Sequence, residues 1–532
     1  MLLRRRRHGV GEKAVEKFIS KVKNMIEERE RRIRDLEEKL EECQRQQFPR
    51  LIKKYIDLFY GGPTLARIDE NGLYFIDPLY GLIFIERELV PILVHPLMQR
   101  LHRIRQLSFS YLKFPGARHT RFSHSLGVCR NMEVALRIIF ERNSIYSERG
   151  RVSLNLNEQE KRRLILKGKL LGLIHDMGHG PFAHVIDAYV AYRRGGNLAH
   201  CPRPDKLLLL RYIDEDGTLG EIINGIGFDP EEIKRILDPR HREELASYDP
   251  YDPLLADLID SPIDVDRMDY LVRDAYFTGL PIGSLNIDLL MHSMVAFHRD
   301  DAYYLAYKYD GLRHIEHFLY ARDMMYINCY DEPMKVGAER MIVKALDNFV
   351  NTLALRDREL DEFLDKLLLL GDEELLDIIL FCSNENQICH KLALSIRKGN
   401  IYRLLCEYPV PEEFREEVMK ERDSAYLICY DRANEWERRL TQDIADNKRW
   451  QVLIHIPMVS LLEPTEVQTS IMKEESGRFS CEYLGNLSES VVSGLLHLLR
   501  RTRLKIRIYV GPDLTGTDLS RIRARAERRF SS

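Results

Sequence analysis

Apolar residues recur at three- and four-residue spacing through most of the chain, which predicts a mainly α protein. Between Lys13 and Gln44 the spacing is a heptad. Val15, Ile19, Val22, Ile26, Ile33, Leu36 and Leu40 form a seam that only Arg29 interrupts, and charges fill most other positions. About four heptads predict an N-terminal coiled-coil helix, and through it a homo-oligomer, dimer or tetramer. Residues 60–93 break the pattern with Gly-Gly-Pro and Asp-Glu-Asn-Gly around short β-branched and aromatic runs, which predicts a small β-hairpin. Helical spacing returns over 95–107, 125–143, 159–178 and 252–279. Residues 287–311 read as a short helix and a two-stranded ribbon, and 312–448 as a further helical block. The runs "WQVLIHIPMVSL" and "RLKIRIYVGPDL" predict strands of a C-terminal α+β unit.

Composition narrows the class. The 532 residues are 45% apolar and 31% charged, as in ordinary globular proteins. A net charge of −3 argues against nucleic acid binding over the whole surface, although Arg4–Arg7 and the basic run 521–529 suit nucleic acid contact at the termini. The nine cysteines are scattered with no C-x-x-C pair, which disfavours a zinc ribbon or a disulfide framework. No apolar run follows the initial arginines to make a signal core, and no segment reaches the ~18 apolar residues of a membrane span. The expectation is a cytoplasmic protein without a membrane partner.

Candidate chemistry concentrates in "LLGLIHDMGHGPFAH", residues 170–184. His175 and Asp176 sit in a stripe of Leu164, Leu170, Leu171, Ile174 and Met177 that reads as a buried helix ending at Gly178, Gly180 and Pro181. Burying a carboxylate beside an imidazole is costly unless something pairs with both. A divalent cation does so. His124 in "HTRFSHS" and Asp266 in "SPIDVDRMDYLVRD" bring the set to two nitrogens and two carboxylates, leaving room for water and a phosphate oxygen.

The ordered set His124 … His175-Asp176 … Asp266 resembles the H…HD…D signature of the HD-domain metal phosphohydrolases. "FPGARHTRFSHSLGV", "LIHDMGHGPFAH" and "IDVDRMDYLVRD" are similar, more narrowly, to the deoxynucleoside triphosphate triphosphohydrolase family. "HPLMQRLHRIRQL" and "LYARDMMYINCYDEPMKVG" match it more loosely, and the similarity spans about residues 75–345. The resemblance implies an all-helical HD core in a domain at 48–345, after the coiled coil (1–47) and before a helical and α+β domain (346–532). It implies a divalent ion (manganese, magnesium, iron, zinc or nickel) held by His124, His175, Asp176 and Asp266.

The same resemblance implies catalytic roles for His179, His184, Asp187 and His200. Arg121, Arg267 and Arg322 would face a triphosphate, Gln106 and Leu107 would flank the sugar, and Tyr330 would complete the substrate contacts. Tyr270 would pack where a 2′-hydroxyl clashes, and Asp274 would accept from the 3′-hydroxyl. The implied activity is hydrolysis of a dNTP to deoxynucleoside and triphosphate. Phosphodiesterase or nuclease action on single-stranded or cyclic nucleotides stays open, as does a nucleotide-sensing scaffold.

Departures from the family pattern are informative. Asp331-Glu332-Pro333 stand where relatives carry a histidine or lysine-rich continuation, and Tyr326 stands where a basic phosphate contact is expected. Val94 and His102 occupy the places of the aspartate and arginine of the animal enzyme's allosteric guanine-nucleotide site, so nucleotide-triggered tetramerisation is not implied. No motif is recognised beyond about residue 350, which reads as a packing or assembly region.

Overall fold

The computed structural model describes residues 66–69, 71–153, 156–194, 204–214, 218–282, 285–353, 357–421, 424–457, 468–488, 490 and 504–530. The predicted coiled coil, the N-terminal arginines and His200 lie outside them.

The chain opens on a three-stranded antiparallel meander, β1 (Ala66–Asp69), β2 (Gly72–Asp77) and β3 (Gly81–Glu86), one strand more than the expected hairpin. Asp77 closes the second turn by accepting the N–H groups of Leu79 and Tyr80 at 2.9 and 3.2 Å, with Gly81 at φ 71°. Helical spacing over 95–107 yields only a short helix, Pro96–Arg100, and a 3-10 turn at Leu101–Arg103. Tertiary pairing overrides it: Ile104 and His119 carbonyls accept from Arg121 and Gln106, drawing residues 104–106 against 119–121.

Two helices form the centre of the core, α1 (Arg121–Glu141) and, after the short strands β4 (Ile145–Ser147) and β5 (Gly150–Arg151), α2 (Glu158–Ile174). They run antiparallel and so close that a Cβ on Gly172 would stand 2.9 Å from the Cys129 backbone. An Asn157–Glu160 capping box starts α2. Next come α3 (His184–Arg193), α4 (Asp252–Ile259) and α5 (Val265–Thr278). Asp264 caps α5 by accepting the Arg267 N–H at 2.7 Å, and Gly279 ends it in the left-handed region.

The ribbon β6 (Met294–Arg299) and β7 (Ala302–Lys308) forms as expected and leads to α6 (Leu312–Met325), a π-helical turn at Tyr326–Tyr330 and α7 (Pro333–Leu353). Beyond α8 (Asp372–Cys382) the expected helical block is interrupted by β8 (Arg403–Pro409). Its pairing partner lies about a hundred residues on, so no neighbouring turn announces it. After α9 (Ala425–Leu440) come β9 (Val452–His455), β10 (Ser470–Glu475), β11 (Arg478–Tyr483), β12 (Lys505–Val510) and α10 (Gly516–Phe530).

Strands β8-β12-β9 make one sheet, whose apolar face packs with α9 and α10 around Trp436, Phe414 and Phe530. The other late strands join the core, because β10 lies parallel to β7 in a six-stranded sheet ordered β11-β10-β7-β6-β4-β5. Among the described residues the fold is mainly α, the cysteines are free thiols, and no helix is long and apolar enough to cross a membrane.

Candidate metal and phosphate site

The helix ends around α2 bring the sequence-predicted ligands together. His124 lies in the first turn of α1, His175 and Asp176 follow the last turn of α2, and Asp266 lies in the first turn of α5. His124 Nε2 stands 2.9 Å from Asp266 Oδ1 and 3.6 Å from Asp176 Oδ2. His175 Nε2 stands 3.4 Å from Asp176 Oδ1 and 3.7 Å from Asp266 Oδ1. Both imidazoles are oriented from behind. His124 Nδ1 donates to Asp269 Oδ2 at 2.7 Å, and His175 Nδ1 donates to the Gly172 carbonyl at 2.8 Å. Each bond fixes the ring orientation that turns Nε2 toward the carboxylates.

These residues fit a divalent cation. His175 Nε2 is buried with no hydrogen-bond partner, an orphan that a metal would satisfy. Burial disfavours the His124 cation, yet Asp266 and Asp269 push its pKa up to about 10. Against burial, His124 and His175 hold the Asp266 carboxyl well below the usual carboxylate range. The protein alone therefore draws positive charge to this point, and donor atoms of His124, His175 and Asp266 lie within 4.8 Å of one another.

Beside this set is a second one. His179 Nδ1 donates to Asp187 Oδ2 at 2.6 Å, Asp187 Oδ1 accepts the Gly180 N–H at 3.1 Å, and His179 Nε2 is 3.3 Å from Asp176 Oδ1. The His184 ring lies edge-on to that of His179 at 4.6 Å. Arg121 pairs with Asp176.

A cavity of about 350 Å³, within the ~300–1,000 Å³ typical of small-ligand sites, reaches Arg121, the partner of Asp176, and His184. The four ligand candidates, His179 and Asp187 are not among its lining residues. Gln106, Leu107, Arg121, His184, Tyr270, Asp274 and Tyr330 line it. Asp266, Tyr270 and Asp274 follow one another at four-residue intervals on one face of α5. Asp274 is held on both oxygens, by His119 Nε2 at 2.7 Å and by the Tyr330 hydroxyl at 2.7 Å. Gln106 Oε1 is buried without a partner.

Arg267 and Arg322 are not among the lining residues. Arg267 pairs with Asp264, while Arg322 donates to the Tyr270 hydroxyl at 3.3 Å and lies over the Tyr326 ring. Tyr326 thus holds an arginine by its ring where a basic side chain was expected. Asp331 lines the far end, where burial pushes its carboxyl pKa up. The C-terminal unit completes that end with Tyr430 and His455, and burial and nearby Arg507, Arg340 and Lys335 keep His455 neutral.

Several residues that shape the site were not singled out by sequence. Asp269, one helical turn after Asp266, and His119, five residues before His124, carried a positional signal. Asp372 carried none, yet its Oδ1 accepts the Phe182 N–H at 2.7 Å.

No family model matches the chain. The uncharacterized protein YwfO of Bacillus subtilis is 32% identical over 275 residues, 51% of this chain and 54% of that protein. The deoxynucleoside triphosphate triphosphohydrolase SAMHD1 of Mus musculus is 31% identical over 229 residues, 40% of this chain and 33% of that enzyme. The chain thus spans about half the length of the first curated relatives it matches, and a third of SAMHD1. Among solved structures, a phosphohydrolase from Bacteroides thetaiotaomicron superposes with a TM-score of 0.59 at 22% identity, over 82% of this chain and 99% of that one.

Proposed function

The chain is a relative of the HD-domain phosphohydrolases, and on that premise we propose that it hydrolyses deoxynucleoside triphosphates to deoxynucleoside and triphosphate. One observation carries the reading. A single face of α5 presents Asp266 to the ligand cluster and then Tyr270 and Asp274 to the cavity, so one rigid element relates the reacting phosphate to the sugar. His124, His175, Asp176 and Asp266 would hold a divalent ion, which would supply Lewis acidity toward a phosphate oxygen and lower the pKa of water.

The chain's own residues do the rest. Arg121 lines the cavity beside Asp176 and offers guanidinium donors to phosphate oxygens. Tyr270 occupies the space a 2′-hydroxyl would need, and Asp274 accepts from a 3′-hydroxyl while His119 and Tyr330 fix its carboxylate. When water adds to the α-phosphorus and the bond to the 5′ oxygen breaks, that oxygen needs a proton. His179, oriented by Asp187, and neighbouring His184 are the groups placed to give it. Product analysis with manganese or magnesium tests the reading against dNTPs, rNTPs and short oligonucleotides. Triphosphate released from dNTPs alone supports it, whereas mononucleotides released from oligonucleotides replace it with a nuclease activity.

A further inference from the structure

The turn that carries His184 is strained and is held from outside the metal motif. Phe182 and Ala183 have φ of 55° and 52°, left-handed conformations that non-glycine residues keep only where their surroundings enforce them. Asp372, the first residue of α8, is one enforcing group. Its Oδ1 accepts the Phe182 N–H at 2.7 Å and its Oδ2 accepts the Arg105 N–H at 3.0 Å, with the side chain 1% exposed. Stacking of Phe182 on Phe109, ring centroids 4.5 Å apart, is the second hold.

The residues that follow these two amides face the candidate site. Arg105 precedes Gln106 and Leu107, Phe182 precedes Ala183 and His184, and all four of those successors line the cavity. One buried carboxylate therefore ties together two segments of the cavity wall that lie far apart in sequence. The start of α8 is pressed onto the first segment, since a Cβ on Gly371 would stand 2.8 Å from Arg103 Cβ. Glu373, next along, spends its carboxylate at the surface on Arg105 and Arg397.

We propose that Asp372 is a positioning residue for turnover, fixing His184 and the His179–Asp187 pair against the Gln106–Leu107 wall. Helix α8, beyond the metal motif, then sets the geometry of proton delivery to the leaving group. This rests on the site acting on a phosphate ester, as proposed above, but not on which nucleotide it takes.

The test compares Asp372→Ala, Asp372→Asn and Glu373→Gln in the full metal-loaded chain. Misplacement of a catalytic group by about 1 Å costs on the order of 100-fold, so Asp372→Ala should lower kcat about 10- to 100-fold with KM within about threefold. Asp372→Asn keeps one acceptor oxygen for the Phe182 N–H and should recover part of that loss, while Glu373→Gln should stay within about twofold of the native protein. Hydrogen exchange in a peptide spanning 180–188 should quicken in Asp372→Ala, with α2 still protected and metal content unchanged. A native kcat in Asp372→Ala overturns the proposal. So does an equal loss in Glu373→Gln, or a loss explained by KM or metal content alone. If the native protein cleaves oligonucleotides but no dNTP, the dNTP reading fails by itself and the same comparison is made on the oligonucleotide.

Discussion

His124 gives its Nδ1–H to the Asp269 carboxylate at 2.7 Å, and Arg273 grips that carboxylate with bonds of 2.8 and 2.9 Å. Arg273 also reaches Asp77 at 2.7 Å, so the chain of contacts runs from the cluster to the β-meander. Carboxylates behind ligand imidazoles fix ring orientation and raise basicity, and their loss typically weakens metal affinity about 10- to 100-fold. Asp269→Asn should show a loss of that size in calorimetric titration with manganese. An unchanged affinity would mean that Asp269 serves packing alone.

The same contact makes Gly127 sensitive. A Cβ there would stand 1.8 Å from Asp269 Oδ1 and 2.5 Å from Arg273 Nη2, and both side chains are fully buried. Neither can withdraw without breaking a buried ion pair, a loss worth about 3–5 kcal/mol. Gly127→Ala should therefore lower unfolding stability by at least about 2 kcal/mol in denaturant titrations. A midpoint within error of the native value would show that the pair has room to shift.

These contacts separate what was legible in sequence from what was not. His175 and Asp176 could be picked out because a buried imidazole beside a carboxylate needs compensation, whereas the full set with His124 and Asp266 came from the family resemblance. Donor atoms of His124, His175 and Asp266 lie within 4.8 Å of one another, and Asp176 beside them pairs with Arg121. Asp266, Tyr270 and Asp274 share a helix face that the four-residue period dictates. Asp372 meets Phe182 across 190 residues, and β8 meets β12 across about a hundred. Local periodicity holds no record of either pairing. The lost helix over 95–107 has the same cause, since its spacing was helical and its backbone partners were distant.

Removing a ligand should separate metal chemistry from simple binding. Asp266 Oδ1 has His124 at 2.9 Å and His175 at 3.7 Å, and it is the carboxylate whose donor atom groups with both ring nitrogens within 4.8 Å. Asp266→Ala should abolish hydrolysis of every nucleotide substrate, and metal analysis after dialysis should show the loss of a bound ion. Full turnover in this variant would place the metal site elsewhere.

Sugar selection should depend on Tyr270, whose hydroxyl is held by Arg322 at 3.3 Å and whose ring stands between the ligand cluster and Asp274 along α5. Tyr270→Ala opens space for a 2′-hydroxyl and should raise kcat/KM for rNTPs relative to dNTPs at least about tenfold, the scale on which pockets discriminate small groups. Unaltered selectivity would remove Tyr270 from the sugar site.

Asp372 also makes a pH-dependent contribution to stability. Burial pushes its carboxyl pKa up to about 6 despite the Phe182 and Arg105 N–H bonds. A carboxyl in the unfolded chain titrates near ~3.9, so the folded state binds this proton more tightly. The stability it adds is present below the unfolded pKa and is lost as pH rises through about 6. Asp372→Asn has no such slope. The native protein should therefore gain on the variant by about 1–2 kcal/mol when urea unfolding is compared at pH 5 rather than pH 7. A difference that does not move with pH would show the carboxylate to be well solvated by its donors. A gain of the stated sign would mean that at neutral pH the fold keeps a costly buried anion in place, the behaviour expected of a group retained to hold the strained turn at Phe182.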